Sequence, residues 1–163
     1  MAGLLTSFDL GGAIVPADVQ RMMRASGAQA GGIDAVAAEL HRWAVEPFDL
    51  GRDNCGLSVI GYAARVLGCA VPAWLFGFGA FGAWRLMLDD ARFLAVADRA
   101  LAEMGCEEIA APARGDVALV RLPGSGLTAC ICTGPLWAAR GDRAAVVGAG
   151  ELVRAWRVAC RRP

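Results

Sequence analysis

Apolar positions recur at helical spacing through the first two thirds of the chain and at alternating spacing through the last third. Residues 1–14 are apolar with interspersed glycine and read as an extended arm. Pro16 suits a first helical position, so Pro16–Ala25 reads as a short helix, ended by the Gly27–Gly32 stretch. Asp34 is placed to cap a helix reaching about Val45, with Val36, Leu40 and Trp43 on one face and Pro47 ending it. A turn at Asp49–Asn54 leads into a second helix, Cys55–Leu67. Asn54 is its N-cap, Val59, Tyr62, Ala63 and Val66 keep its register, and Gly68 stops it. The aromatic, glycine-rich segment 69–84 reads as a loop. A third helix follows over Trp84–Met104, with Leu94, Ala97, Leu101 and Met104 aligned and Gly105 as its stop.

From Gly115 the period changes to two. Val117–Leu122 and Leu127–Thr133 read as strands joined by a hairpin turn, Pro123-Gly124-Ser125-Gly126. Trp137–Arg140 and Ala144–Val147 are short strands around a Gly141-Asp142 turn, and Leu152–Ala159 closes the series. Helices followed by antiparallel strands predict an α+β domain over 33–163, preceded by the arm and short helix of 1–32.

A chain of 163 residues suits one such domain with a full core. Its apolar share, 56% against 20% charged, exceeds that of an average soluble domain and calls for a large core, a protein interface or a membrane. Sixteen cations, all Arg, offset sixteen acids and are scattered, so no nucleic-acid footprint appears. Six cysteines include no C-x-x-C pair, and a single His accompanies them, which argues against a zinc site; no cofactor motif is present. Met1–Leu10 lacks a basic region and is interrupted by Asp9, so no signal peptide is expected and the cysteines read as reduced, small, buried residues. Val66–Trp84 is uncharged, but Gly68, Pro72, Gly77, Gly79 and Gly82 favour a loop with aromatic anchors over a membrane span.

Cys55 carries the candidate chemistry. A thiolate is the nucleophilic form of cysteine, and a helix N-terminus lowers a thiol pKa. Around it, Pro47-Phe48-Asp49-Leu50-Gly51-Arg52-Asp53-Asn54-Cys55 resembles the Pro-Phe-x-Trp-Gly-x-x-Asp-Cys segment of NlpC/P60-like phage proteins. Ala113-Arg114-Gly115-Asp116-Val117 is similar to the turn that opens their first core strand, Leu127–Gly134 to the next strand, and Ala155-Trp156-Arg157-Val158 to a frequent closing segment. The resemblance covers residues 33–160.

That resemblance implies an NlpC/P60-like fold, N-terminal helices packed on a C-terminal antiparallel sheet, with Cys55 at the nucleophile position. In this family a His on the second core strand takes the thiol proton to cleave bacterial cell-wall stem peptides. Thr128 stands at the expected His position, and a hydroxyl cannot serve as a base near neutral pH. Leu136–Ala139 offers no third polar residue; Leu50 replaces an aromatic and Asn54 an Asp. His41, on the preceding helix, is expected at the solvent edge. The resemblance therefore implies an inactive tail-tip or baseplate component of a phage or gene-transfer-agent tail, assembled in the bacterial cytoplasm with hub or tip proteins as partners. Its alternative is an active peptidase acting on peptidoglycan during DNA delivery. Trp74, Phe76, Phe78, Phe81 and Trp84 are the expected interface anchors.

Overall fold

The computed structural model describes residues 34–158. The arm at 1–14, the short helix at Pro16–Ala25, Cys160 and the end of the last predicted strand lie outside the described residues. Helix α1, Ala35–Val45, begins where the Asp34 carboxylate accepts the Val36 and Ala37 amides at 3.1 and 3.3 Å. It buries Val36, Glu39 and Trp43. Helix α2, Cys55–Leu67, starts at the Asn54 cap, whose Oδ1 accepts the Leu57 amide at 2.9 Å, and ends at Gly68 with φ 68°. Ser58 through Ala64 are all buried, so α2 is the central helix.

The stretch expected to be a loop and then one long helix folds otherwise. Ala73–Phe78 forms a 3-10 turn, Gly79–Met87 forms α3, and Asp90–Glu103 forms α4. Gly82 permits the first departure: a Cβ there would lie 3.2 Å from Phe78, so its absence lets α3 close against the turn before it. Asp89 causes the second. Its carboxylate accepts the Arg92 amide at 3.0 Å and caps a new helix where a single one was expected. The uncharged stretch Val66–Trp84 is thereby divided among α2, the 3-10 turn and α3. Among the described residues no helix is long and apolar enough to cross a membrane.

The sheet comprises β1 (Glu107–Ile109), β2 (Val117–Leu122), β3 (Gly126–Cys132), β4 (Trp137–Arg140), β5 (Ala145–Gly148) and β6 (Glu151–Arg157). All pairs are antiparallel, in the order β1-β6-β2-β3-β4-β5. Strand β1 was not foreseen; three residues are too few to show a period. The β2–β3 hairpin pairs Val117 with Ile131 and Leu122 with Gly126. Among the described residues the fold is thus α+β, with four helices preceding the sheet.

Alternation along the strands divides the apolar residues between two faces. Val117, Leu119, Ala129, Ile131 and Trp156 meet the helices in the main core. Ala118, Val120, Cys130, Ala139 and Ala155 form a second cluster on the opposite face. One turn ties the layers together. Tyr62 of α2 donates to the Gly115 carbonyl at 3.0 Å. Arg114 reaches the Thr133 carbonyl and the Asp34 carboxylate, each at 2.6 Å. Asp116 accepts the Ala113 and Val158 amides at 2.9 and 3.1 Å. Gly115 has φ 96°, and a Cβ on it would lie 3.2 Å from the Tyr62 hydroxyl, so both backbone shape and space favour glycine here.

Candidate functional site

The segment before Cys55 is held by short-range hydrogen bonds. Asp49 Oδ1 accepts the Gly51 and Arg52 amides at 2.8 and 3.1 Å, and the Asp53 amide returns to the Asp49 carbonyl at 2.7 Å. Asn54, buried, donates to the Leu50 carbonyl at 2.9 Å while its oxygen caps α2. Both ends of the Asn54 amide thus help to place the helix start that carries the thiol.

A second anchor comes from the far end of β4. The Arg140 side chain is 1% exposed. Its Nη2 donates to the Glu46 and Pro47 carbonyls at 2.9 and 3.0 Å and lies 3.0 Å from the Asp53 carboxylate. Ser58, fully buried on α2, donates to the other Asp53 oxygen at 2.6 Å. This fixes the α1–α2 connection against the sheet. The Arg140, Asp53 and Ser58 network was not singled out in the sequence. Ser58, three positions past the thiol within an apolar run, is the signal that marks it.

The Cys55 sulfur lies 3.9 Å from the Met87 sulfur at the end of α3. Burial raises the thiol pKa; backbone groups of Gly56, Cys55 and Ala129 pull it the other way without prevailing. A helix start was expected to lower it, so desolvation under α3 outweighs the helix terminus. The thiol borders an apolar cavity of about 60 Å³ between α2, α3, α4 and the sheet. Leu86, Phe93, Leu119 and Ala129 are among its walls, and among the described residues Cys55 is the sole ionisable one lining it.

Thr128 does not face this cavity. It pairs with Val120, whose side chain belongs to the opposite face, and its hydroxyl donates to the Gly126 carbonyl at 3.3 Å. The residue that β3 turns toward Cys55 is Ala129. His41 is exposed on α1. Of the five described cysteines, all free, Cys106, Cys130 and Cys132 are buried as expected, whereas Cys55 is half-buried and Cys69 is exposed.

The aromatic anchors separate into two groups. Trp74 and Phe78 pack against the main core and meet edge-on at 6.2 Å between ring centres. Trp74 also donates to Glu103 at 2.8 Å and lies beneath the Arg99 guanidinium. Phe76, Phe81 and Trp84 point outward, 51%, 69% and 42% exposed. Phe81 stacks on Trp84 at 5.9 Å, and Arg85 lies over Phe81.

Chemically, the arrangement holds a half-buried thiol whose pKa desolvation raises, and among the described residues no other ionisable side chain lines its cavity. No curated protein and no solved structure matches the chain. A family model, described as a domain of unknown function (DUF6950), matches residues 33–158, and the chain belongs to that family.

Proposed function

We propose that this chain is a non-hydrolytic relative of the NlpC/P60-like peptidases, serving as an assembly component of a phage or gene-transfer-agent tail tip. One observation supports the absence of turnover: Cys55 meets the Met87 sulfur at 3.9 Å, and among the described residues no other ionisable side chain lines its cavity. Attack on a peptide carbonyl requires the thiolate and a general acid for the leaving amine, and base or acid catalysis contributes about 10²–10⁴ in rate. Among the described residues lining the cavity there is neither a base to take the thiol proton nor an acid to protonate the leaving amine. The resemblance around Cys55 and at residues 113–117 supports the family reading; the tail assignment rests on that resemblance. The exposed rings of Phe76, Phe81 and Trp84 support a role through contact, since aromatic side chains anchor interfaces.

The peptidase alternative is favoured by one feature, the backbone groups of Cys55, Gly56 and Ala129 near the sulfur, which would stabilise a thiolate. Burial outweighs them. Virion assembly separates the two readings. Particles carrying Cys55→Ala are expected to form and to infect normally, while Phe81→Asp with Trp84→Asp prevents incorporation of a still-folded protein. Loss of infectivity with Cys55→Ala alone, in fully assembled particles, would favour the enzyme.

A further inference from the structure

The half-buried Cys55 is flanked on one side by an element weakly committed to the core. Helix α3 has nine residues, and Leu86 is its one buried side chain, joined by the partly buried Met87 over the thiol. Its first turn has no side-chain cap. It is joined to the 3-10 turn through Gly79 at φ 59°, where nothing lies within 4 Å of a would-be Cβ. Leu88, just past its last residue, is 64% exposed. Helices shorter than about 12 residues are marginal alone, so α3 persists through its tertiary contacts, and these are few. The cavity of about 60 Å³ beneath it forfeits further packing in the closed state. A cavity of that size exceeds what one water needs, but its walls provide almost no polar partners.

We infer that α3 is a displaceable lid over a site for small, uncharged apolar groups, and that opening it brings such groups against Cys55. The walls explain the selectivity: a charged group would enter an apolar cleft with no counter-charge to meet it. The 3-10 turn and Gly79 supply the hinge at one end, and the Leu88–Asp89 break supplies it at the other. Lid opening does not depend on a catalytic base, so this inference holds or fails independently of the non-hydrolytic reading.

The chain contains its own reference thiols. Cys69 is exposed and reports the intrinsic rate of a reagent; Cys130, wholly buried on the other face of the sheet, reacts when the sheet opens. The full chain is labelled with N-ethylmaleimide, uncharged, and separately with iodoacetate, charged, and each thiol is followed by mass spectrometry. Cys55 is expected to react with the maleimide more slowly than Cys69 and faster than Cys130. Iodoacetate is expected to be disfavoured at Cys55 relative to its behaviour at Cys69. Met87→Ala is expected to raise the Cys55 rate by about tenfold with Cys130 unchanged, the size of effect that loss of a few buried methylenes produces. Should Met87→Ala speed both thiols, Gly79→Ala decides, since it strains the positive-φ hinge from an exposed position. The inference is overturned if Cys55 tracks Cys130 in the wild type and in these variants, or if iodoacetate is no worse at Cys55 than at Cys69.

Discussion

On the sheet side, the residue that Cys55 meets is Ala129. Strand β3 presents alternate residues to the helices, and the one it presents beside the thiol carries a methyl group. Thr128, one position away, belongs to the other face. Desolvation raises the pKa of the thiol, and this has a consequence for stability. Buried thiols hold their protons more tightly folded than unfolded: the Cys55 pKa lies above the ordinary 9.0, and burial pushes Cys106 up to about 11. Their contribution is fully present below the unfolded pKa and is lost as pH rises through the folded one. Urea midpoints are expected to stay level from about pH 7 to 8 and to fall between about 9 and 11, with Cys106→Ala weakening the alkaline fall. Arg140 gives a second residue-scale prediction. Arg140→Ala removes the donor to the Glu46 and Pro47 carbonyls and one partner of Asp53. Asp53 retains Ser58 and Arg42 and is 21% exposed, so the expected loss is about 3 kcal/mol, the low end for breaking a buried pair, read from urea denaturation.

At the scale of elements, the helix caps decide where the chain turns. Asp34 and Asn54 could be read in the sequence because each precedes an uninterrupted apolar period, and α1 and α2 begin at the residues expected. Asp89 has the same role but lies inside a stretch whose apolar spacing continues on both sides, which hid the break between α3 and α4. Asp89→Ala is expected to cost about 1 kcal/mol in thermal or urea unfolding, as loss of an N-cap does. Helix α3 was obscured by its own glycines: Gly79 and Gly82 look like loop residues, although one serves as a positive-φ junction and the other as the contact point for Phe78. The β2–β3 hairpin was legible through its period of two and its turn residues. The face to which Thr128 belongs was also latent there, since residues 127, 129 and 131 share one side, but a motif aligned by residue type does not reveal which side meets the helices. The Met87 contact with Cys55 is set by the packing of α3, and nothing local in the sequence reports it.

Across the described residues, four helices and a six-stranded antiparallel sheet hold the half-buried thiol beside the end of α3. The apolar excess in the composition is accounted for in part by cores on both faces of the sheet, and in part by the rings left outside at Phe76, Phe81 and Trp84. A molecule built this way is expected to act through its surface. Hydrolysis of a purified stem peptide, followed by mass spectrometry for wild type and Cys55→Ala side by side, tests this most directly. The two proteins are expected to be indistinguishable from buffer. Cleavage by the wild type that disappears in Cys55→Ala would contradict the account, because it would require a proton acceptor that the walls around the sulfur do not contain.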